Sequence, residues 1–299
     1  MKIKLIGLGK MGLNIALNLK DHHHEVIGYD LNEEARNSLK ENGMISVDSL
    51  EKLLASEKQE NNIVLMFIPN QFMDKTIEQM LPFLEKGDIV IDGGNSNFNV
   101  SIKRYHHLKN SGVEFVDMGT SGGMSGARHG ACLMVGGDKA IVEKLEQVFI
   151  DLAIEDGYAY MGKPGSGHFV KMAHNGIEYG MMQAIAEGFD LLEASPFELD
   201  YEKISQMWNH GSIIESALMG YIHDAFTSDQ KLELIQGRID DSGEGMWMIE
   251  EALKYRVSLP VITQALYTRY KSKDDHLFAE KVVAAMRKEF GGHTVYKKK

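Results

Sequence analysis

The sequence reads as an α/β chain: an N-terminal domain on a mainly parallel sheet, then a long inter-domain helix and an all-α C-terminal domain. Three observations predict this. In the first half, short runs rich in Ile, Val and Leu alternate with amphipathic stretches, the pattern of stacked βαβ units. The first such run passes into a glycine-rich turn that opens a helical stretch. Beyond Pro196 the strand pattern stops and helical periodicity carries on.

Strands are expected at Lys2–Ile6, Glu25–Tyr29, Asn62–Ile68, Asp88–Asp92, Glu114–Met118 and Ala131–Val135. The loop Met161–Gly167 (MGKPGSG) breaks the pattern, and the proline-free run from it to about Leu192 reads as one long helix. Residues 1–164 therefore form the sheet domain and 165–299 the helical one, punctuated by Gly211, Gly220, Gly243 and Gly245. The tail Lys297–Lys299 is expected to fray.

With 43% hydrophobic and 25% charged residues over 299 positions, the chain can bury a core in each domain, so it is neither disordered nor fibrous. No window approaches the roughly 18 apolar residues of a membrane span. The first dozen residues read as strand and turn rather than signal peptide, so a cytoplasmic location is expected. Thirty-two basic against 43 acidic residues leave a charge of -11, which offers no long-range attraction for nucleic acid or an anionic membrane. An anionic ligand must be met by positive groups gathered locally. Cys132, the lone cysteine, rules out an internal disulfide and a cysteine-based zinc site, and its apolar neighbours Ala131 and Leu133 suggest a core position.

Gly7-Leu8-Gly9-Lys10-Met11-Gly12 follows the first strand and opens the amphipathic segment Met11–Lys20. In that context GxGxxG marks a Rossmann-type, dinucleotide-binding turn: two glycines allow the turn and close pyrophosphate approach, and the third lets helix and sheet pack. The helix N-terminus then faces the phosphates. Asp30 ends the second strand 18 residues after Gly12, where an acid accepts hydrogen bonds from ribose hydroxyls and repels a 2′-phosphate. This reading favours NAD over NADP. A helix-capping role suits Asn32 better than Asp30. His22–His24, in the intervening turn, reads as a solvated loop, with a metal role as the alternative.

Two further loops end strands, where ligands bind in open α/β sheets. Ile91-Asp-Gly-Gly-Asn95-Ser96 combines paired glycines with amide and hydroxyl groups, and Gly119-Thr-Ser121-Gly122-Gly123-Met-Ser125-Gly126 places four glycines in eight residues. On the long helix, Lys171, His174, Asn175, Glu178 and Met182 share one face with Tyr179 at its edge. Val170, Ala173, Ile177, Met181, Ala184 and Ile185 make a second, apolar face; Met172, Gly176, Gly180 and Gln183 line a third, where glycines permit a close neighbour. The helix thus reads as buried, and a buried polar stripe is costly unless paired or used. Lys171 and Glu178 form a natural acid–base pair, since a poorly solvated lysine can serve as general base toward a hydroxyl. No nucleophile stands beside a base, and no metal site is expected.

The runs GLGKMG at 7–12, IDGGNS at 91–96, TSGG with GAR at 120–128 and GHFVKMAHNGIEYG at 167–180, with Arg269 and RKEFGGH at 287–293, closely resemble the 6-phosphogluconate dehydrogenase family, the decarboxylating branch of the β-hydroxyacid dehydrogenases. The resemblance implies Lys171 as general base and acid and Glu178 as proton donor. It implies substrate contacts at Asn95, Ser121, Gly122, Gly123, His174, Asn175, Tyr179 and Arg269, with Arg287 and His293 supplied by a neighbouring subunit of a homodimer or homotetramer. By position, Phe67, Ile68, Pro69 and Asn95 would line the cofactor beside the glycine loop. The implied reaction converts 6-phosphogluconate, a phosphorylated sugar acid, to ribulose 5-phosphate and CO2 with hydride passing to NAD. NADP-dependent relatives carry Asn-Arg-Thr where this chain has Asp30-Leu31-Asn32, which again points to NAD. The chain is of the short type, and Asp241-Ser-Gly-Glu-Gly-Met246-Trp247 replaces a lysine-bearing substrate loop of the long relatives. The alternatives are a non-decarboxylating β-hydroxyacid dehydrogenase of the 3-hydroxyisobutyrate or tartronate semialdehyde type, and an NAD-binding sensor without turnover.

Overall fold

A computed structural model describes residues 1–56, 60–292 and 294–296. The chain divides into two compact units, Met1–Asn175 and Gly176–Lys299, each taken by itself below. The first unit alternates strand and helix in the order β1 (Lys2–Ile6), α1 (Lys10–Asp21), β2 (Glu25–Tyr29), α2 (Glu33–Glu41), β3 (Ile45–Val47), α3 (Leu50–Ala55), β4 (Ile63–Met66) and α4 (Asn70–Met80). It continues through β5 (Ile89–Asp92), α5 (Phe98–Asn110), β6 (Glu114–Ser121), α6 (Gly123–His129), β7 (Ala131–Gly137), α7 (Lys139–Leu152) and β8 (Ala153–Gly162). Helix α8 (Ser166–Glu193) runs through the boundary, and α9 (Tyr201–Trp208), α10 (Ala217–Ser228), α11 (Glu244–Tyr255), α12 (Pro260–Ser272) and α13 (Phe278–Gly291) complete the second unit.

The strands lie side by side in the order β3-β2-β1-β4-β5-β6-β7-β8. Every neighbouring pair is parallel except β6 and β7. Alternation along each strand builds a core on both faces. Ile3, Leu5, Ile63, Leu65, Ile89 and Ile91 point to the cluster that α1 and α7 cover with Ile15, Leu19, Leu145 and Phe149. Ile6, Val64, Met66 and Val90 point to the opposite one, covered by Leu53, Met73, Ile77 and Leu108. Lys4 is buried within β1 because its ammonium donates to the carbonyls of Leu54 at 2.9 Å and Ser56 at 3.0 Å at the end of α3.

Three expectations need correction. Cys132 is exposed, because β7 turns Ala131 and Leu133 inward and therefore Cys132 outward. The His22–His24 turn is only partly solvated: His24 is buried, its Nδ1 at 3.0 Å from the Met1 amino group and its Nε2 at 2.9 Å from Asp151. No metal-holding cluster is present among the described residues. The apolar face of α8 is open in the single chain, with Ile177 54% exposed and Val170 and Met181 also exposed, so the helix is buried on its other faces only. Among the described residues no helix is long and apolar enough to cross a membrane.

In the second unit the core is small. Phe189, Tyr201, Met219 and Phe226 form one aromatic-rich cluster, and Tyr179, Ala265 and Leu266 another. Gly176 on α8 admits Met248 of α11 so closely that a Cβ would lie 2.1 Å from its sulfur.

Candidate active site

Strand order reverses at β1 and β4, which places a crevice beyond their carboxyl ends. Three glycines of the turn after β1 do separate work. Gly7 has φ +92° and faces the Phe67 carbonyl, which a Cβ would meet at 2.3 Å; a Cβ at Gly12 would lie 1.8 Å from the Gly7 carbonyl. Gly9 faces open space, and as N-cap of α1 it brings no side chain to that helix end. The exposed Lys10, the half-buried Met11 and the buried Leu8 complete the turn. The fit to a dinucleotide is direct: open backbone at Gly9 and an uncovered helix N-terminus suit a pyrophosphate.

Asp30 accepts the Leu8 N–H at 2.7 Å with Oδ2 and the Asn32 N–H at 2.8 Å with Oδ1, so it also ties the glycine turn to β2. Asn32 takes the capping role on α2, accepting from the Glu34 N–H. Phe67, Ile68 and Pro69 follow β4, with Phe67 N–H bonded to the Ile6 carbonyl at 2.8 Å. They lie between the glycine turn and the loop after β5, since a Cβ on Gly93 would meet the Phe67 ring at 2.8 Å.

In that loop Asn95 is exposed, whereas Asp92 is buried and accepts from the Gly94 N–H at 3.1 Å and Ser96 Oγ at 2.9 Å. Its countercharge is Arg104 of α5, buried and donating to Asp92 at 2.9 Å, Ser96 at 2.8 Å, Asn70 at 2.9 Å and Asp74 at 2.5 Å. Sequence reading missed Arg104; an arginine in a polar helix reads as surface, and only the acid, amide and serine at strand and helix ends could have hinted at a partner.

Lys171, His174, Asn175 and Ser121 come together within the first unit. Ser121 Oγ at the end of β6 lies 3.1 Å from His174 Nε2. His174 Nδ1 faces Lys171 Nζ at 3.4 Å and Asn175 Oδ1 at 3.0 Å. A proton on Nδ1 is donated to Asn175, whereas a bare Nδ1 accepts from the lysine. Lys171 is 9% exposed and Asn175 is also buried. Gly122 and Gly123 turn the chain from β6 into α6 with φ of +111° and +61°.

Within the second unit, Tyr179 and Arg269 form a pair, the guanidinium carbon 3.6 Å from the ring centroid. Tyr179 is buried, which pushes its phenol up from the ordinary range, and its hydroxyl donates to Asp241 at 3.0 Å. Arg269 also donates to the Asp240 carbonyl at 2.9 Å. Glu178 lines a largely apolar cavity of ≈ 680 Å³ with Met182, Phe189, Tyr201 and Tyr221. Arg287 is exposed on α13, and no hydrogen bond or ion pair among the described residues ties it to Tyr179 or Arg269. His293 lies outside the described residues.

Residues 2–175 match the family described as the NAD binding domain of 6-phosphogluconate dehydrogenase, and 167–298 the one described as 6-phosphogluconate dehydrogenase, C-terminal domain. YqeC of Bacillus subtilis (strain 168), provisionally named a 6-phosphogluconate dehydrogenase, is 50% identical over 100% of both chains. The NAD(+)-dependent, decarboxylating 6-phosphogluconate dehydrogenase of Haloferax volcanii is 37% identical over 100% of this chain and 99% of its own. The Plasmodium falciparum 6-phosphogluconate dehydrogenase, whose structures include complexes with NADP+ and with 6-phosphogluconate, superposes with a TM-score of 0.80 at 29% identity, over 100% of this chain and 66% of that one. The chain therefore belongs to the 6-phosphogluconate dehydrogenase family of oxidoreductases, with an NAD(P)-binding domain of Rossmann type.

Proposed function

We propose that the chain oxidatively decarboxylates 6-phosphogluconate to ribulose 5-phosphate and CO2, with NAD rather than NADP as the hydride acceptor. The observation that carries this reading is the buried Lys171 joined through His174 to Ser121 and Asn175, a proton-handling group inside a hydrogen-bonded frame. Gly7–Gly12, Asp30, Phe67–Pro69 and Asn95 would hold the dinucleotide, which when bound accepts hydride from C3. Lys171 takes the C3 hydroxyl proton. Its ammonium then stands at the oxygen that gains negative charge as CO2 leaves, and Glu178, two turns further along α8, delivers a proton to the carbon that loses CO2, which is C2 of the substrate and C1 of the product. Ser121, Gly122, Gly123, His174, Asn175 and Tyr179 would orient the sugar acid. Arg269, with Arg287 and His293 from a second copy of a homo-oligomer, would hold the phosphate, for which a guanidinium fork is suited. The exposed apolar face of α8 supports such an assembly.

The reading of NAD as cofactor is supported by Asp30, whose carboxylate would face a 2′-phosphate with like charge, and by the similarity to the Haloferax relative named as NAD(+)-dependent. We place the enzyme in the cytoplasm and its domain boundary at residues 164/165.

The test is turnover of 6-phosphogluconate with each cofactor, following reduced cofactor and CO2 together. Stoichiometric release of both, faster with NAD, is expected. Reduced cofactor without CO2 would convert the assignment to a non-decarboxylating β-hydroxyacid dehydrogenase, and silence with both cofactors would leave only a sensor.

A further inference from the structure

Asp117 belongs to none of the motifs singled out in the sequence, yet it is fully buried in the middle of β6. Its carboxylate meets the start of α8: Oδ1 accepts the Gly165 N–H at 2.6 Å and Oδ2 accepts the His168 N–H at 2.9 Å. The first amides of a helix have no partner within it, and a carboxylate there also meets the positive end of the helix dipole. Usually the residue just before the helix supplies that acceptor. Here Gly165 occupies the place, with φ +92° and no side chain, so the cap comes from a strand far away in sequence. A cap of this kind does more than satisfy amides, because it fixes the helix to the sheet.

The surrounding contacts leave the helix end little freedom. A Cβ on Gly167 would meet the Met134 carbonyl at 2.4 Å, and one on Gly136 would meet Asp117 Oδ1 at 2.7 Å. His168 is buried beside the cap, its Nδ1 at 2.7 Å from Ser101 of α5. Two residues along β6 from Asp117, Gly119 backs the stem of Lys171, whose Cβ stands 2.5 Å from where a Gly119 Cβ would be. One strand therefore grips both the helix end and the lysine one turn inside it. Burial pushes the Asp117 carboxyl up from its ordinary range, while the His168 imidazole and the two amides pull it down.

We propose that Asp117 is a positioning residue that caps α8 from β6 and thereby sets where the Lys171 amine stands. The proposal rests on the reading of Lys171 as the base, and two readouts keep the two ideas apart. The first is kinetic. Asp117→Asn keeps the size but replaces one acceptor by a donor that faces an N–H. It should lower kcat by about a hundredfold, the scale of a 1 Å displacement of a reacting group, with KM for NAD within about twofold of the parent, as expected when ground-state cofactor binding is untouched. The second readout needs no substrate: the rate of reductive methylation of Lys171, followed by mass spectrometry of its peptide, should change at least severalfold.

Gly119→Ala displaces the same lysine from the other side without touching the cap. It should reproduce both effects, and it decides the matter if Asp117→Asn does not fold. Folded variants that keep kcat within about twofold and label Lys171 at the parental rate overturn the proposal. If the parent itself does not turn over 6-phosphogluconate, the functional reading fails and the labelling rates alone decide whether Asp117 positions the lysine.

Discussion

The two units differ in how much hydrophobic surface they close into a core. In the first, a sheet with helices on both faces closes two large clusters, and three charged groups buried with them are paired: Lys4 with carbonyls, Asp92 with Arg104, Asp117 with two amides. In the second, the helices enclose two small clusters and leave Ile213, Leu191, Leu234, Leu253 and Phe278 strongly exposed. The first unit holds its buried polar side chains, Lys171 among them, within a packed frame. The second leaves more apolar surface exposed, which is in keeping with the proposed homo-oligomer.

The largest expected effect tests the rigid side of this contrast. Lys171→Met removes the amine from a site whose frame of Ser121, His174 and Asn175 is otherwise intact. Loss of general acid–base action should cost about 10²–10⁴-fold in kcat, while NAD affinity, measured by calorimetry, stays within about twofold because the glycine turn is untouched. A variant that retained more than a few per cent of turnover would remove Lys171 from the role of base.

Next come two truncations whose difference is the point. Arg104→Ala strands the buried Asp92 carboxylate and should cost about 3–5 kcal/mol, and Phe189→Ala empties the aromatic cluster it shares with Tyr201, Trp208 and Phe226, also at about 3–5 kcal/mol. Followed by scanning calorimetry over a range of protein concentrations, the Phe189 variant should regain stability as concentration rises, since association shifts unfolding by mass action. The Arg104 variant should unfold at a lowered temperature that does not recover as concentration rises. Equal concentration dependence in both would erase the contrast between the units.

Much of the first unit was legible because its signals are local. The glycine turn, the periodic strands and the run to Leu192 each declare themselves within a dozen or so residues, and β1, β2, β5 and α8 lie where the sequence put them to within a residue or two. β3 is only three residues long, and β8 carries Glu155, Asp156 and Gly157 in place of an apolar alternation, so neither has a readable period. At the candidate site, the stripe Lys171-His174-Asn175 could be read from helical spacing. Arg104 and Asp117 could not, because each acts through partners brought near only by the fold, and an isolated charge in a helix or strand says nothing of what it pairs with. The openness of the Ile177 face was misread for a related reason: periodicity reports that a face is apolar, and whether the same chain covers it is a tertiary fact.

Asp30 offers the smallest and sharpest test, because it serves two structures at once. Both oxygens already accept backbone amides, and a carboxylate has lone pairs left for ribose hydroxyls. Asp30→Ser retains a short acceptor for the turn but removes the negative charge. If the charge sets cofactor choice, the ratio of kcat/KM for NAD over NADP should fall by about tenfold, or roughly 1.4 kcal/mol, mainly through better use of NADP. If Asp30 only braces the Leu8 turn, both cofactors should lose kcat/KM together and the ratio should stay put. The two outcomes separate a side chain that reads the ligand from one that shapes the loop, a distinction that proximity to the glycine turn leaves open.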